Sequence, residues 1–152
     1  MRKCILPVIC LLIAHAVHAQ VPKPEDSVKA AVNQLFISMA TSDSAGVRGA
    51  FAEGGMLQTV NEKDGKTTVV TDNLSDFAHL IGSLQKGDAD EQIKFNTIKI
   101  DGPLAFVWAP YNFFFKGKFS HCGIDCFCIV RLNSEWKIQY LIDTRTTKGC
   151  RY

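Results

Sequence analysis

Hydrophobic positions along the chain change period twice, and the changes divide it into elements. From Cys4 to Ala14 the chain is an unbroken apolar run behind Arg2 and Lys3. From Val28 the apolar residues Val28, Ala31, Val32, Leu35, Phe36 and Met39 recur three and four apart. That is one stripe of an amphipathic helix. Pro24 suits its first turn, and Glu25 and Asp26 suit the positive end of its dipole. Thr41 and Ser42 close it, and Asp43 is a cap for a second, shorter helix through about Phe51, which Gly54-Gly55 ends. Met56–Glu62 and Lys66–Thr71 read as strands joined at Asp64-Gly65, a strong hairpin signal. Asn73 caps a third helix whose buried stripe is Leu74, Phe77, Ala78, Ile81 and Leu84. Asn73-Leu74-Ser75 also fits a glycosylation acceptor, but helix capping accounts for it.

After the polar loop Gly87–Asp90 the period becomes two. Gln92 to Ile100 alternates as a single strand, and Asp101-Gly102-Pro103 turns the chain. Leu104–Phe115, Phe119–Leu132 and Trp136–Thr144 follow as long strands, separated by Lys116-Gly117-Lys118 and Asn133-Ser134. There are no internal repeats, low-complexity tracts or interior linkers. Helices early and strands late predict an α+β domain, three helices on one face of a long antiparallel sheet. Strands of this length twist and curl, which predicts a cone with a concave face.

The apolar run at the start is too short to cross a bilayer, which takes roughly 20 apolar residues. With Val17-His18-Ala19 ahead of Gln20 it reads as a cleavable export signal, residues 1–19, leaving one domain at 20–152. The signal carries two of the 17 basic residues and none of the 15 acidic ones, so the mature chain is formally neutral. Neutrality removes the electrostatic footprint that binding to nucleic acid would need. The expected compartment is periplasmic or extracellular, where the remaining cysteines, Cys122, Cys126, Cys128 and Cys150, can form a disulfide.

His121-Cys122-Gly123-Ile124-Asp125-Cys126-Phe127-Cys128 has the residue types of a metal site. Strand geometry argues against one. Side chains alternate between faces, and same-face neighbours stand roughly 7 Å apart, too far to converge on zinc at about 2.3 Å. No metal and no cofactor is expected. His121, Gly123, Asp125, Phe127 and Ile129 share one face, expected to be the concave one. His121 and Asp125 there are either polar anchors for a ligand or a general-base pair. Gly123 between them allows a close approach of backbone or ligand.

The strand Leu104–Phe115 has two aromatic faces. Tyr111 and Phe113 are assigned inward. The face of Phe106, Trp108 and Phe114 then points outward, an apolar surface suited to pairing two copies through the sheet. Pro110, unable to donate to a ladder, implies a bulge or an edge. On the last strand Trp136, Ile138, Tyr140 and Ile142 are read as one core or pocket face. Arg145 either binds an anion or pairs with a carboxylate such as Asp143.

Three stretches carry a resemblance: Val107-Trp108-Ala109-Pro110-Tyr111, Ser120-His121-Cys122-Gly123-Ile124-Asp125, and Trp136-Lys137-Ile138 running into Ile142-Asp143-Thr144-Arg145. With the order of elements, they resemble the nuclear transport factor 2-like superfamily over about Glu25 to Cys150. Within it they look like an exported bacterial, lumazine-binding-like subgroup. The superfamily includes ketosteroid isomerases and SnoaL-type cyclases as well as non-enzymes. The resemblance implies a cone-shaped α+β fold and a Cys122–Cys150 disulfide, with Cys126 and Cys128 as extras. The expected function is binding of a small, mainly apolar molecule. Tyr111, Phe113, Trp136 and Tyr140 would form the walls, and His121 and Asp125 the anchors. The alternatives are an isomerase, cyclase or dehydratase using His121 or Asp125 as base, and a structural or partner-binding dimer with a filled pocket.

Overall fold

A computed structural model describes residues 23–150. The export signal expected at 1–19 lies outside the described residues. Among those described, no helix is long and apolar enough to cross a membrane.

Helix α1 spans Pro24–Ala40 and buries Val28, Val32, Leu35, Phe36 and Met39, the stripe expected from the periodicity. Asp43 caps α2, Ser44–Ala50, by accepting from the Gly46 amide at 2.9 Å. Strand β1 then begins at once, Phe51–Lys63, and pairs with β2, Lys66–Asp72. Asp64 and Gly65 both take positive φ, 53° and 73°, the pair of conformations that a two-residue type I′ turn requires. Asn73 accepts from the amides of Ser75 and Asp76 and starts α3, Leu74–Ser83. Four further segments complete the core of the sheet: β3 (Ala89–Ile93), β4 (Thr97–Asp101), β5 (Leu104–Phe115) and β6 (Lys118–Leu132). Strand β7, Glu135–Thr144, is the last.

The sheet runs β2-β1-β7-β6-β5-β3, with β4 also on β5, and does not close. It curves around α1 and α3, so that Val107, Ala109, Phe127, Ile129 and Ile138 are fully buried beneath the helices.

Four expectations need correction. The sheet is mixed, because β1 pairs parallel with β7 rather than extending an all-antiparallel meander. Gly54-Gly55 does not end a helix; it lies inside β1, where the register against β7 shifts between Phe51 and Met56. Gly54 has φ of 70°, and a Cβ on Gly55 would meet the carbonyl oxygens of Ala52 and Ile138 at 2.9 and 3.0 Å. The single strand expected from Gln92 to Ile100 is broken into β3 and β4. Their inward residues are Ile93 and Phe95 and then Ile98 and Ile100, which is a phase change across Asn96-Thr97.

The fourth correction is on β7. Tyr140 pairs with Cys128 and Ile138 with Ile129, so Gln139 is an unpaired extra residue. A one-residue bulge reverses every side chain beyond it. Trp136 and Ile138 are buried before it, Leu141 and Asp143 after it. Tyr140 and Ile142 therefore leave the face on which alternation placed them.

Pro110 causes no bulge. Its carbonyl accepts from the Lys94 amide, at the break between β3 and β4. A residue's N and O project to the same side of a strand, so its missing donor falls where no partner strand is paired.

Candidate functional site

Between α1, α3 and the concave face of the sheet lies a cavity of about 690 Å³. Its helix wall is apolar: Leu35, Phe36 and Met39 from α1, and Phe77, Leu80 and Ile81 from α3. Its sheet wall is mixed, with Leu57, Ala89 and Leu141 beside a group of polar side chains. Glu91 comes from β3, Tyr111 and Phe113 from β5, His121 and Asp125 from β6, Asp143 from β7, and Arg145 from just beyond β7.

Of the residues singled out from the sequence, Tyr111, Phe113, His121 and Asp125 line this cavity. Trp136 and Tyr140 do not. Trp136 is buried near the start of α1, where its indole nitrogen donates to Ser27 Oγ at 3.1 Å. Tyr140 lies beyond the Gln139 bulge on the outer face, with its hydroxyl on Gln58 Oε1 at 2.6 Å. His121 and Asp125 share a face but stand four residues apart on a strand, roughly 13 Å. His121 therefore takes Ser120 Oγ at Nδ1, 3.0 Å away, and its ring packs on Tyr111 and Phe113 at centroid distances of 5.7 and 5.1 Å. Burial and the nearby Arg145 charge lower the His121 pKa, against a smaller opposing pull from Asp143. The ring is neutral at physiological pH.

Asp143, read from sequence only as a partner for Arg145, is a hub. It is 5% exposed and accepts from Thr59 Oγ1 at 2.6 Å, from the Tyr111 hydroxyl at 3.1 Å and from Arg145 Nε at 2.7 Å. Tyr111 divides its single proton between Asp143 and the Thr144 carbonyl at 2.9 Å. Burial, with the surrounding carboxylates, pushes the Tyr111 pKa far up, so the phenol stays protonated. Burial alone would lower the Arg145 pKa, but the bond and charge of Asp143 outweigh it and raise it. The Asp143 and Arg145 charges thus offset each other.

The second carboxyl group of the site is a pair. Glu91 and Asp125 share a side-chain hydrogen bond, which two ionised carboxylates cannot form. The bond lowers the Glu91 pKa and raises that of Asp125, so Asp125 holds the proton and Glu91 accepts. Burial first, and then each other's charge and that of Asp143, raise Asp125 well above the ordinary carboxyl range. Burial raises Glu91 to about 7, against the lowering effect of its bond to Asp125. Asp125 is 2% exposed, and nothing among the described residues donates to its Oδ2.

Sequence reasoning missed Glu91. The signal was present: Ala89, Glu91 and Ile93 alternate, and Ala89 and Ile93 both pack on the core. Glu91 pairs in register with Phe113, which places it on the inward face. Among the described residues no His, Cys, Asp or Glu group converges for a metal.

Gly123 closes the polar end. A Cβ there would collide with the Thr144 backbone carbonyl and stand 2.9 Å from Tyr111 Cε1. The bare backbone lets β6 meet the chain at the end of β7, where the Cys122–Thr146 bridge and the Cys122–Cys150 disulfide continue the contact. The disulfide implied by the sequence resemblance is therefore present, and Cys126 and Cys128 are free thiols.

No protein-family model and no curated protein matches the sequence. Solved structures do match the fold. A nuclear transport factor 2-like protein of unknown function from Shewanella baltica is 14% identical, with a TM-score of 0.62 over 82% of this chain and 94% of that one. Another from Methylobacillus flagellatus is 15% identical, with a TM-score of 0.60 over 84% and 97%. A protein of unknown function with a cystatin-like fold from Nostoc punctiforme is 10% identical, with a TM-score of 0.64 over 82% and 92%. At these identities the likeness speaks for architecture alone, and on it the chain has the nuclear transport factor 2-like fold.

Proposed function

We propose that the chain is an exported small-molecule-binding protein whose cavity takes an amphiphile, apolar body against α1 and α3 and polar end against Glu91 and Asp125. One observation carries this reading. The concave side is not filled by side chains: it holds about 690 Å³, within the usual range for ligand pockets, with an apolar wall facing a small convergent polar group. Tyr111, Phe113 and His121 shape the passage between the two. Export rests on the leader at residues 1–19, and the Cys122–Cys150 disulfide is compatible with an oxidising compartment. Membership of the exported lumazine-binding-like subgroup rests on the sequence stretches alone. Native mass spectrometry of protein purified from its own compartment tests the function. A stoichiometric small molecule supports it. Protein that arrives empty and is not stabilised by any of a panel of amphiphiles overturns it.

A second reading is favoured by the Glu91–Asp125 pair. A carboxyl whose pKa lies near neutrality takes or gives protons at working pH, as a proton transfer beside a carbonyl would require. This is the isomerase, cyclase or dehydratase class, with Glu91 or Asp125 rather than His121 as base. Neutral His121, bonded to Ser120, has no orienting carboxylate. Should turnover be found, Glu91→Gln or Asp125→Asn must abolish it and His121→Ala must not; survival of turnover in both carboxyl variants removes the reading.

A further inference from the structure

Three donors of the cavity are committed: Thr59 Oγ1, the Tyr111 hydroxyl and Arg145 Nε all serve Asp143, and the Tyr111 proton is further divided with Thr144. The carboxyl pair keeps acceptor capacity. Asp125 is almost wholly buried, lines the cavity and has an Oδ2 to which no neighbour donates. Glu91 beside it keeps some accessible surface and also lines the cavity. With Asp143 offset by Arg145, a Glu91–Asp125 pair holding one proton keeps one negative charge, and Asp72 and Asp76 stand at the rim. Tyr111, Phe113 and Phe77 line the same cavity.

We infer that the polar end of this cavity is a receptor for a cationic nitrogen, so that the ligand is an apolar primary amine or a similar N–H cation. This rests on the pocket reading given above and narrows it. The ammonium supplies the donors that Asp125 lacks and matches the single charge of the pair, and the aromatic rings accommodate its flank. A carboxylate ligand would meet like charge.

Proton linkage gives the inference a signature. The groups facing the pair are Tyr111 on β5, His121 on β6, Asp143 and Arg145 at the end of β7, and Asp72 and Asp76 at the rim from β2 and α3; the α1 wall is apolar. At about pH 5.5 Glu91 is protonated, the pair is neutral and the cation has no partner. At about pH 8 Glu91 has ionised and the charge is present.

The test uses the full mature chain and three probes of one shape: 1-naphthylmethylamine, 1-naphthalenemethanol and 1-naphthoic acid, by isothermal titration calorimetry. The amine is expected to bind at least about tenfold more tightly at about pH 8 than at about pH 5.5, while the alcohol does not change. At the higher pH it should outbind both neutral and anionic probes about tenfold, and Glu91→Gln with Asp125→Asn should erase that preference. The pH dependence is read on the unmodified chain, so misfolding of the double variant does not blunt the test. If alcohol and amine bind alike, the cation site is wrong and the pocket stands. If the acid binds best, Arg145 governs recognition and the cation site is equally wrong. If none binds, both readings fall.

Discussion

Replacing Glu91 by glutamine is expected to stabilise the protein above neutral pH and to leave it nearly unchanged in mild acid. Glu91 titrates at 4.5 in the unfolded reference and at about 7 in the fold. Between those values the native state holds one more proton than the unfolded chain, so the contribution to stability is whole below the lower value and is lost as pH rises through the higher one. Each unit is worth about 1.4 kcal/mol, which puts the cost of ionising Glu91 in the fold at about 3 kcal/mol. That figure is a ceiling, since Glu91 keeps some surface toward the cavity and water there screens the charge. His121 acts with the opposite sign. Its lowered pKa makes the unfolded chain the better proton acceptor, so its share of stability is lost as pH falls below about 6.5. His121 is common to both proteins and cancels in their difference. The introduced glutamine can accept, through its amide oxygen, the hydrogen bond that Asp125 now gives to Glu91. Urea denaturation of both proteins without reductant, from about pH 5 to about pH 8, measures the difference directly. The variant should gain about 1–2 M in midpoint at the alkaline end and almost nothing at the acid end. Parallel curves, or a variant weaker than the wild type at about pH 8, would falsify the buried, proton-sharing pair and with it the charge assigned to the pocket.

Gly123→Ala should fail to fold stably, because the new methyl group meets the Thr144 backbone carbonyl rather than a movable side chain. The loss should reach or exceed the upper end of the ~1–3 kcal/mol range for overpacking, read by thermal melting under circular dichroism. Cys122→Ser and Cys150→Ser should each lose about 3–4 kcal/mol for the 28-residue separation they close, and the double variant no more than either alone; insensitivity of the wild-type midpoint to reductant contradicts this. Trp108→Lys tests the proposed pairing of two copies through the outer sheet, where Leu104, Trp108 and Phe119 stay exposed. Sedimentation velocity should show a wild-type dimer and a variant monomer, and a wild-type monomer ends the idea.

Much of the fold was legible because local rules agreed with one another. Helix α1 announced itself by its stripe and first-turn Pro24, α3 by stripe and cap, Asp64-Gly65 by its turn chemistry, and β5 ran over Leu104–Phe115 as read. The inward positions of Tyr111, Phe113, His121 and Asp125 followed from strict alternation on unbulged stretches. Alternation failed wherever one residue was inserted. On β7 the run Ile138-Gln139-Tyr140-Leu141-Ile142 is apolar on both phases around a neutral glutamine, so nothing local marks Gln139 as the extra residue. Assigning Trp136 and Tyr140 to one pocket face was the direct consequence. The parallel β1–β7 pairing was hidden for a different reason: it joins segments far apart in sequence, and no turn between them sets its register.

Three acidic residues line the cavity from the sheet, and each stands where a core residue belongs. Asp125 lies between Gly123 and Phe127 on the buried phase of β6, and Glu91 between Ala89 and Ile93 on β3. Asp143 follows Leu141 on the buried phase of β7 after its bulge. Burying a carboxyl costs several kcal/mol unless donors or protons compensate. At Asp143 the fold supplies Thr59, Tyr111 and Arg145. At Glu91 and Asp125 it supplies only one carboxyl to the other. A fold seeking stability alone would place leucine at these two positions, as it does at Leu141. The uncompensated pair is therefore the part of the sheet that packing does not explain. It shares the cavity with the apolar α1 and α3 wall, against which an apolar ligand body would rest, and an N–H donor arriving with that body would complete the pair.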